Sequence, residues 1–300
     1  MTTRTADEIK EEVRRAYGQA ASQFVDAPAQ ASCCEPRAQA SCCDSAGTAQ
    51  EVETIGAARL YAEGELADLP ESVTEAAMGC GNPTAIASLQ PGEVVLDLGS
   101  GGGIDCFLAA ERVGPTGRVI GLDMTPEMIK LARRNAKKVG ATNVDFRYGE
   151  MEEMPLPDAS VDVIISNCVI NLSPDKDAVF AEAFRVLKPG GRISVSDIVT
   201  HGQLPEAVGG SVMAWAGCVA GALDEEAYLE KMRAAGLTDV AITQRVYANP
   251  EGLVDASEIQ EALAKMDPPV SVDWLRSQLD GKIASVTVMA RKPEESCCPS

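Results

Sequence analysis

Ten cysteines and a single histidine, His201, delimit the chemistry open to this 300-residue chain. One imidazole excludes His-rich zinc sites and the H-E-x-x-H arrangement, so any soft ligands must be thiols. Four cysteines stand singly, and besides Cys106 they are Cys80 in Gly79-Cys80-Gly81-Asn82-Pro83, Cys168 in Ser166-Asn167-Cys168, and Cys218 in Ala216-Gly217-Cys218-Val219. A thiolate in such a setting can hold a soft ion, although a lone cysteine also serves as a small apolar core residue. Others come in pairs. Cys33-Cys34 and Cys42-Cys43 end the two copies of a repeat, Ala-Gln-Ala-Ser-Cys-Cys, and Cys297-Cys298 lie close to the end of the sequence. Cys106 follows a glycine loop on an expected helix, where core packing is the favoured role.

A second constellation is the run Asp97-Leu98-Gly99-Ser100-Gly101-Gly102-Gly103, which closes an aliphatic strand and opens a helix. Glycines Gly99, Gly101 and Gly103 stand where the backbone must turn sharply and approach a ligand closely. Asp123 follows at the end of the next strand, where a carboxylate can accept hydrogen bonds from two ribose hydroxyls. A dinucleotide would call for G-x-G-x-x-G; this loop reads G-x-G-x-G with an acid before it. Asp97 would repel a pyrophosphate but suits the cationic end of S-adenosylmethionine. Met124, Glu150, Met151 and Asn167 end neighbouring strands at that same edge. Glu150 and Met151 are expected to face the adenine, and Asn167 the methionine part.

The elements that must position these groups are visible as periodicity. Aliphatic runs at 94–98, 119–122, 144–146, 161–165 and 193–195 alternate with helical segments at 104–112, 126–138 and 176–187. That rhythm predicts a parallel α/β sheet of the Rossmann-like, doubly wound kind. Upstream, Ile9, Val13 and Tyr17 recur at four-residue spacing, which predicts an amphipathic helix. It leads into an Ala/Gln/Ser/Pro/Cys-rich linker over 26–50. Beyond 200 the regularity loosens into a helix at 224–235, a strand at 240–246, a helix near 257–265 and a last strand at 283–290, read as a smaller α+β segment. The expected divisions are therefore 1–50, 51–200 and 201–300.

Composition narrows the partners. A net charge of −19 disfavours nucleic acid and anionic membrane surfaces, both of which need clustered Lys and Arg. No apolar run approaches the ~18 residues of a membrane span. No charged-then-apolar leader is visible over 1–21, so a reducing cytoplasmic setting with free thiols is expected.

Gly79-Cys80-Gly81-Asn82-Pro83, the glycine loop through Cys106, Ser166-Asn167-Cys168-Val169-Ile170-Asn171-Leu172 and Gly217-Cys218-Val219-Ala220-Gly221-Ala222-Leu223 together resemble the bacterial-type arsenite S-adenosylmethionine methyltransferases. The resemblance runs from about residue 4 to about 245. The glycine loop marks only a broad superfamily, whereas the cysteine-bearing motifs are particular to this family. The resemblance implies a class I S-adenosylmethionine-dependent fold, arsenite and methylarsenite as acceptors, and Cys80, Cys168 and Cys218 as the thiolates that hold As(III). It also implies glutathione or thioredoxin as reductant. An N-terminal cysteine among Cys33, Cys34, Cys42 and Cys43 would assist capture or pair with Cys80 during turnover. The rival readings are a small-metabolite methyltransferase with structural cysteines and a thiol-rich metal-binding protein. The first lacks a base near the acceptor, and the second lacks the C-x₂₋₄-C pairing that zinc favours among its single cysteines.

Overall fold

The computed structural model describes residues 5–25, 73, 86, 88–202, 221–247, 263–264 and 271–294. Cys80, Cys218, the three cysteine pairs and the 26–50 linker lie outside the described residues. So does the expected helix near 257–265, apart from residues 263 and 264, which are helical.

Strand β1 (Val94–Leu98) shows why the sheet is central: Val95 faces one apolar cluster while Leu96 and Leu98 face the other. β2 (Arg118–Asp123) repeats the pattern, with Val119 on the first side and Ile120 and Leu122 on the second. Period-two alternation with both faces apolar requires cover on both sides. Helices α2 (Ile104–Val113) and α3 (Pro126–Val139) cover one face through Phe107, Val113, Ile129 and Ala132. Helices α4 (Lys176–Val186) and α5 (Glu225–Ala234) cover the other through Val179, Phe180, Tyr228 and Met232.

With β3 (Val144–Tyr148), β4 (Val161–Asn167), β5 (Leu187–Thr200), β7 (Thr238–Tyr247) and β8 (Ile283–Arg291), the sheet runs β3-β2-β1-β4-β5-β8-β7. The short β6 (Leu223–Asp224) pairs with β5, and α6 (Val272–Leu279) precedes β8. Pairing is parallel from β3 to β5 and antiparallel from β5 to β8 and β7. The chain winds outward to β3 and then returns to β4 on the other side of β1. The crevice at the carboxyl ends of β1 and β4 is therefore the topological switch point where such sheets bind ligands.

The strands after residue 200 extend the main sheet: β8 pairs with β5 from Arg192↔Arg291 to Thr200↔Ile283. β5 is also far longer than the expected 193–195. Ser194, Ser196 and Asp197 interrupt the aliphatic pattern yet are buried, with Ser196 bonded to Thr287 of β8 and Asp197 to Tyr228 of α5. Polar residues with partners inside the fold read as loop when only hydropathy is followed.

Helix α1 (Ala6–Val25) starts on a capping box, in which Thr5 Oγ1 accepts from the Glu8 N–H and Glu8 Oε2 accepts from the Thr5 N–H. Its later turns pack Tyr17, Ala21 and Phe24 against Met128 and Leu131 of α3. Among the described residues no helix is long and apolar enough to cross a membrane.

Candidate active site

The glycine loop leaves β1 through three positive-φ residues, Gly99 (φ 71°), Gly101 (φ 49°) and Gly103 (φ 95°). Two of them explain the local shape. A Cβ on Gly99 would stand 2.3 Å from Val169 Cγ1, so only glycine lets the loop after β4 come this close. A Cβ on Gly101 would meet nothing within 4 Å, which leaves backbone exposed to the cleft. The cleft holds about 940 Å³ counting its open mouth. Asp97, Gly99, Gly101, Asp123, Met124, Met151, Asn167 and Cys168 all line it. Gly103 caps α2 just behind.

Its floor is acidic. Asp97, Asp105 and Asp123 are all buried and line the cleft, and no Lys, Arg or His among the described residues joins them. Burial, and then the charge of Asp105, push the Asp97 carboxyl well above its ordinary range, while the Cys106 thiol opposes this by donating to Asp97 Oδ2 at 3.2 Å. Burial also raises the Cys106 thiol, which keeps it a donor. Cys106 is thus a core residue, as expected, with a bond to Asp97 that hydropathy did not reveal. Burial raises Asp123 against hydrogen bonds from the Thr125 N–H at 2.8 Å and the Gly101 N–H at 2.9 Å. With a further bond from the Thr125 side chain, three of the roughly four acceptor sites are taken and one is left for a ligand. Asn167 Nδ2 donates to Asp105 Oδ2 at 3.3 Å, and Ser100 Oγ is buried with no hydrogen-bond partner.

These features fit S-adenosylmethionine. A water-excluded acidic floor favours a ligand with a sulfonium and an ammonium over one bearing phosphates. The bare backbone at Gly101 and the unpartnered Ser100 hydroxyl leave a cradle with polar capacity to spare.

Glu150 behaves differently from the expectation. Its carboxylate accepts from Lys10 Nζ and from Arg14 at 2.6 Å each, and it does not line the cleft. The expected adenine-facing side chain is corrected to an ion-pair partner of α1, because two cations of that helix reach it first. What sequence reasoning missed is the place of α1, which contributes Val13 and Tyr17 to the cleft. The available signal was the placing of Lys10 and Arg14 one residue from the apolar positions, facing an acidic stretch at 150–153.

Cys168 closes the far side. It is buried, sits at φ 61°, and donates its N–H to Ser196 O at 2.7 Å. A non-glycine residue in the left-handed region costs about 1–2 kcal/mol, and such strain persists where the surroundings over-determine it. Here Val169 against Gly99, the β5 carbonyl, and Asn171 Nδ2 on Ile198 O at 2.6 Å fix the turn. Cys168 is disulfide-bonded, whereas Cys106 is free.

Residues 89–236 match the family model described as a methyltransferase domain. The arsenite methyltransferase of Halobacterium salinarum is 41% identical over 97% of this chain and 68% of its own length. The human arsenite methyltransferase is 34% identical over 72% of this chain, which spans about half (54%) of that relative. The crystal structure of an arsenic (III) S-adenosylmethionine methyltransferase from Chlamydomonas reinhardtii superposes with a TM-score of 0.62 at 33% identity, covering 78% of this chain and 74% of that one. With a switch-point cleft whose floor suits a sulfonium, a cysteine at its rim and a relative matched over nearly the whole chain, this protein belongs to the arsenite methyltransferase family.

Proposed function

We propose that the chain transfers the methyl group of S-adenosylmethionine to trivalent arsenic held by the thiolates of Cys80, Cys168 and Cys218. The observation that carries this reading is the cleft in which the acidic floor and Cys168 line one space. As(III) is soft, takes three sulfur ligands in a pyramid, and keeps a lone pair directed away from them. Bound S-adenosylmethionine supplies an activated methyl on a sulfonium, so the protein's part is proximity and orientation.

Asp97, Asp105 and Asp123 would hold the cationic and ribose portions of the cofactor, with Gly101 offering backbone and Met151 an apolar face. Cys168, fixed by the turn around it, would present sulfur to arsenic at the rim. No base is needed at arsenic, which carries no proton, and this suits a cleft without histidine. Glutathione or thioredoxin would return Cys168 and its partner to thiols, two external thiols becoming one disulfide. That requirement is supported by the disulfide at Cys168, because a sulfur in a disulfide is not a thiolate ligand. The same need for reduced thiols supports a cytoplasmic setting. The pairs Cys33-Cys34 and Cys42-Cys43 are proposed to capture arsenite ahead of the cleft, raising its local concentration.

Purified protein incubated with S-adenosylmethionine, arsenite and glutathione, with arsenic species separated over time, tests the whole reading. Methylated arsenicals absent from a no-enzyme control are expected. Unmethylated arsenite with S-adenosylmethionine still bound would move the acceptor to another small metabolite. Replacing the four N-terminal cysteines by serine should raise the arsenite concentration needed for half-maximal rate; an unchanged requirement removes the capture role.

A further inference from the structure

Helix α1 is held on the domain by two different kinds of contact. Its later turns are seated by apolar packing of Tyr17, Ala21 and Phe24 on α3. Its earlier turns, which bring Val13 to the cleft, are held by charge: Lys10 Nζ lies 2.6 Å from Glu150 and 3.1 Å from Glu152, and Arg14 lies 2.6 Å from Glu150. The groups are largely covered, with the side chain of Lys10 17% exposed and that of Glu152 12%. Glu152 Oε1 also accepts from Ser173 Oγ at 2.6 Å, so the latch is anchored in the loop that begins at Cys168. Bonds to Lys10 hold the Glu150 carboxyl below its usual range, and the pairs with both acids raise Lys10 against its burial. Both partners stay charged at neutral pH.

We infer that Lys10 and Arg14 are positioning residues for the cofactor, latching α1 across the cleft through Glu150 and Glu152 so that Val13 and Tyr17 cover bound S-adenosylmethionine until the latch opens. The inference rests on the reading of the cleft as the S-adenosylmethionine site. An ionic latch suits a cover that must release: part-buried pairs hold a geometry yet yield to water and salt far more readily than a packed apolar seam. Neither Lys10 nor Arg14 lines the cleft, so their effect on the ligand passes through Val13 and Tyr17.

The test is release of labelled S-adenosylhomocysteine from the full chain, chased with unlabelled ligand, alongside amide exchange of residues 6–25 without ligand. Arg14→Glu and Glu150→Arg should each speed release about tenfold, because like charges then face each other. The double variant, with the pair reversed, should return release to within about threefold of wild type. High salt should speed wild-type release and leave Lys10→Met/Arg14→Met almost unaffected. Release unchanged in both single variants overturns the latch. Failure of the reversed pair to rescue Glu150→Arg overturns it too, and assigns Glu150 to the ligand itself. A wild-type chain that holds no S-adenosylhomocysteine refutes the reading of the cleft, and the cofactor-holding role with it. Faster amide exchange of α1 in Arg14→Glu would then leave the ion pairs a purely structural role.

Discussion

The two sides of the cleft are built on opposite principles. The cofactor side comes from nearly contiguous chain: one β-α-β unit supplies Asp97, the glycines, Asp105 and Asp123, and its chemistry is charge in a water-poor space. The proposed acceptor side would draw on Cys168, in a strained turn, and on two cysteines distant in sequence, with soft sulfur as its chemistry. Proximity in sequence makes the first robust and generic, because any chain that folds the unit acquires the pocket. Assembly from distant segments makes the second specific. The two sides meet where Val169 rests on Gly99, so each should be breakable without the other.

The largest separation is expected from Cys168→Ser. Loss of one of three sulfur ligands should lower arsenite methylation by about a thousandfold or more, the scale of removing a group on which reactant positioning depends. Binding of S-adenosylhomocysteine, measured calorimetrically, should stay within about threefold, since serine nearly keeps the size of the side chain and leaves the turn in place. Retained methylation would sink the three-thiolate model, and lost ligand binding would show that the two sides are one unit.

The complementary variant is Asp97→Asn. Replacing a buried carboxyl that a bound cation would draw into its ionised form should cut affinity for cationic S-adenosylmethionine by about ten- to a hundredfold, while affinity for S-adenosylhomocysteine, which lacks the sulfonium, changes less. The informative quantity is the ratio of the two dissociation constants. A ratio equal to that of wild type would mean that Asp97 shapes the loop and does not read charge.

A third variant acts behind the acceptor side. Asp197 is fully buried between Tyr228, whose hydroxyl donates to it at 3.2 Å, and the attraction of Lys176, yet burial pushes its carboxyl up to about 7. The folded protein therefore keeps a proton that the unfolded chain releases near the ordinary value of 3.8. Stability from this group is complete below that value and is lost as pH rises to about 7, by on the order of 4 kcal/mol at most. Asp197→Asn cannot ionise, so its stability relative to wild type should improve between about pH 4 and about pH 7 in denaturant titrations and level off above. An unchanging difference between the two proteins would show that Asp197 does not titrate in that window.

The same contrast governs what could be read from the sequence. β1 to β4, α2 to α4 and the glycine loop were legible because aliphatic runs and amphipathic turns are local signals. The partners of Lys10 were not, for Glu150 lies 140 positions away and an ion pair leaves no periodicity. Nor was the joining of β8 to β5: register between them is set by hydrogen bonds and by pairs such as Ser196 with Thr287, 91 positions apart. Cys168 could be found by its place after β4, but not its left-handed backbone. That conformation is imposed by Ser196 of β5 and by Gly99 in the loop after β1.

The smallest expected effect sharpens the account of α1. Gly18 is buried in that helix, and a Cβ there would stand 3.2 Å from Glu127 Oε2 and 3.8 Å from Thr125 Cγ2. The nearer atom ends a flexible side chain, which can swing aside, and alanine in a helix interior gains about 0.5–1 kcal/mol over glycine. Gly18→Ala should therefore change the melting temperature by no more than a few degrees and leave release of S-adenosylhomocysteine within about twofold of wild type. Here α1 approaches α3 through side chains and not through bare backbone, unlike Gly99, where a Cβ would collide with Val169 at 2.3 Å. If Gly18→Ala instead releases ligand as fast as Arg14→Glu, the seat of α1 on α3 is as demanding as the ionic latch. Cover of the cleft would then depend on the whole helix and not on its charged end.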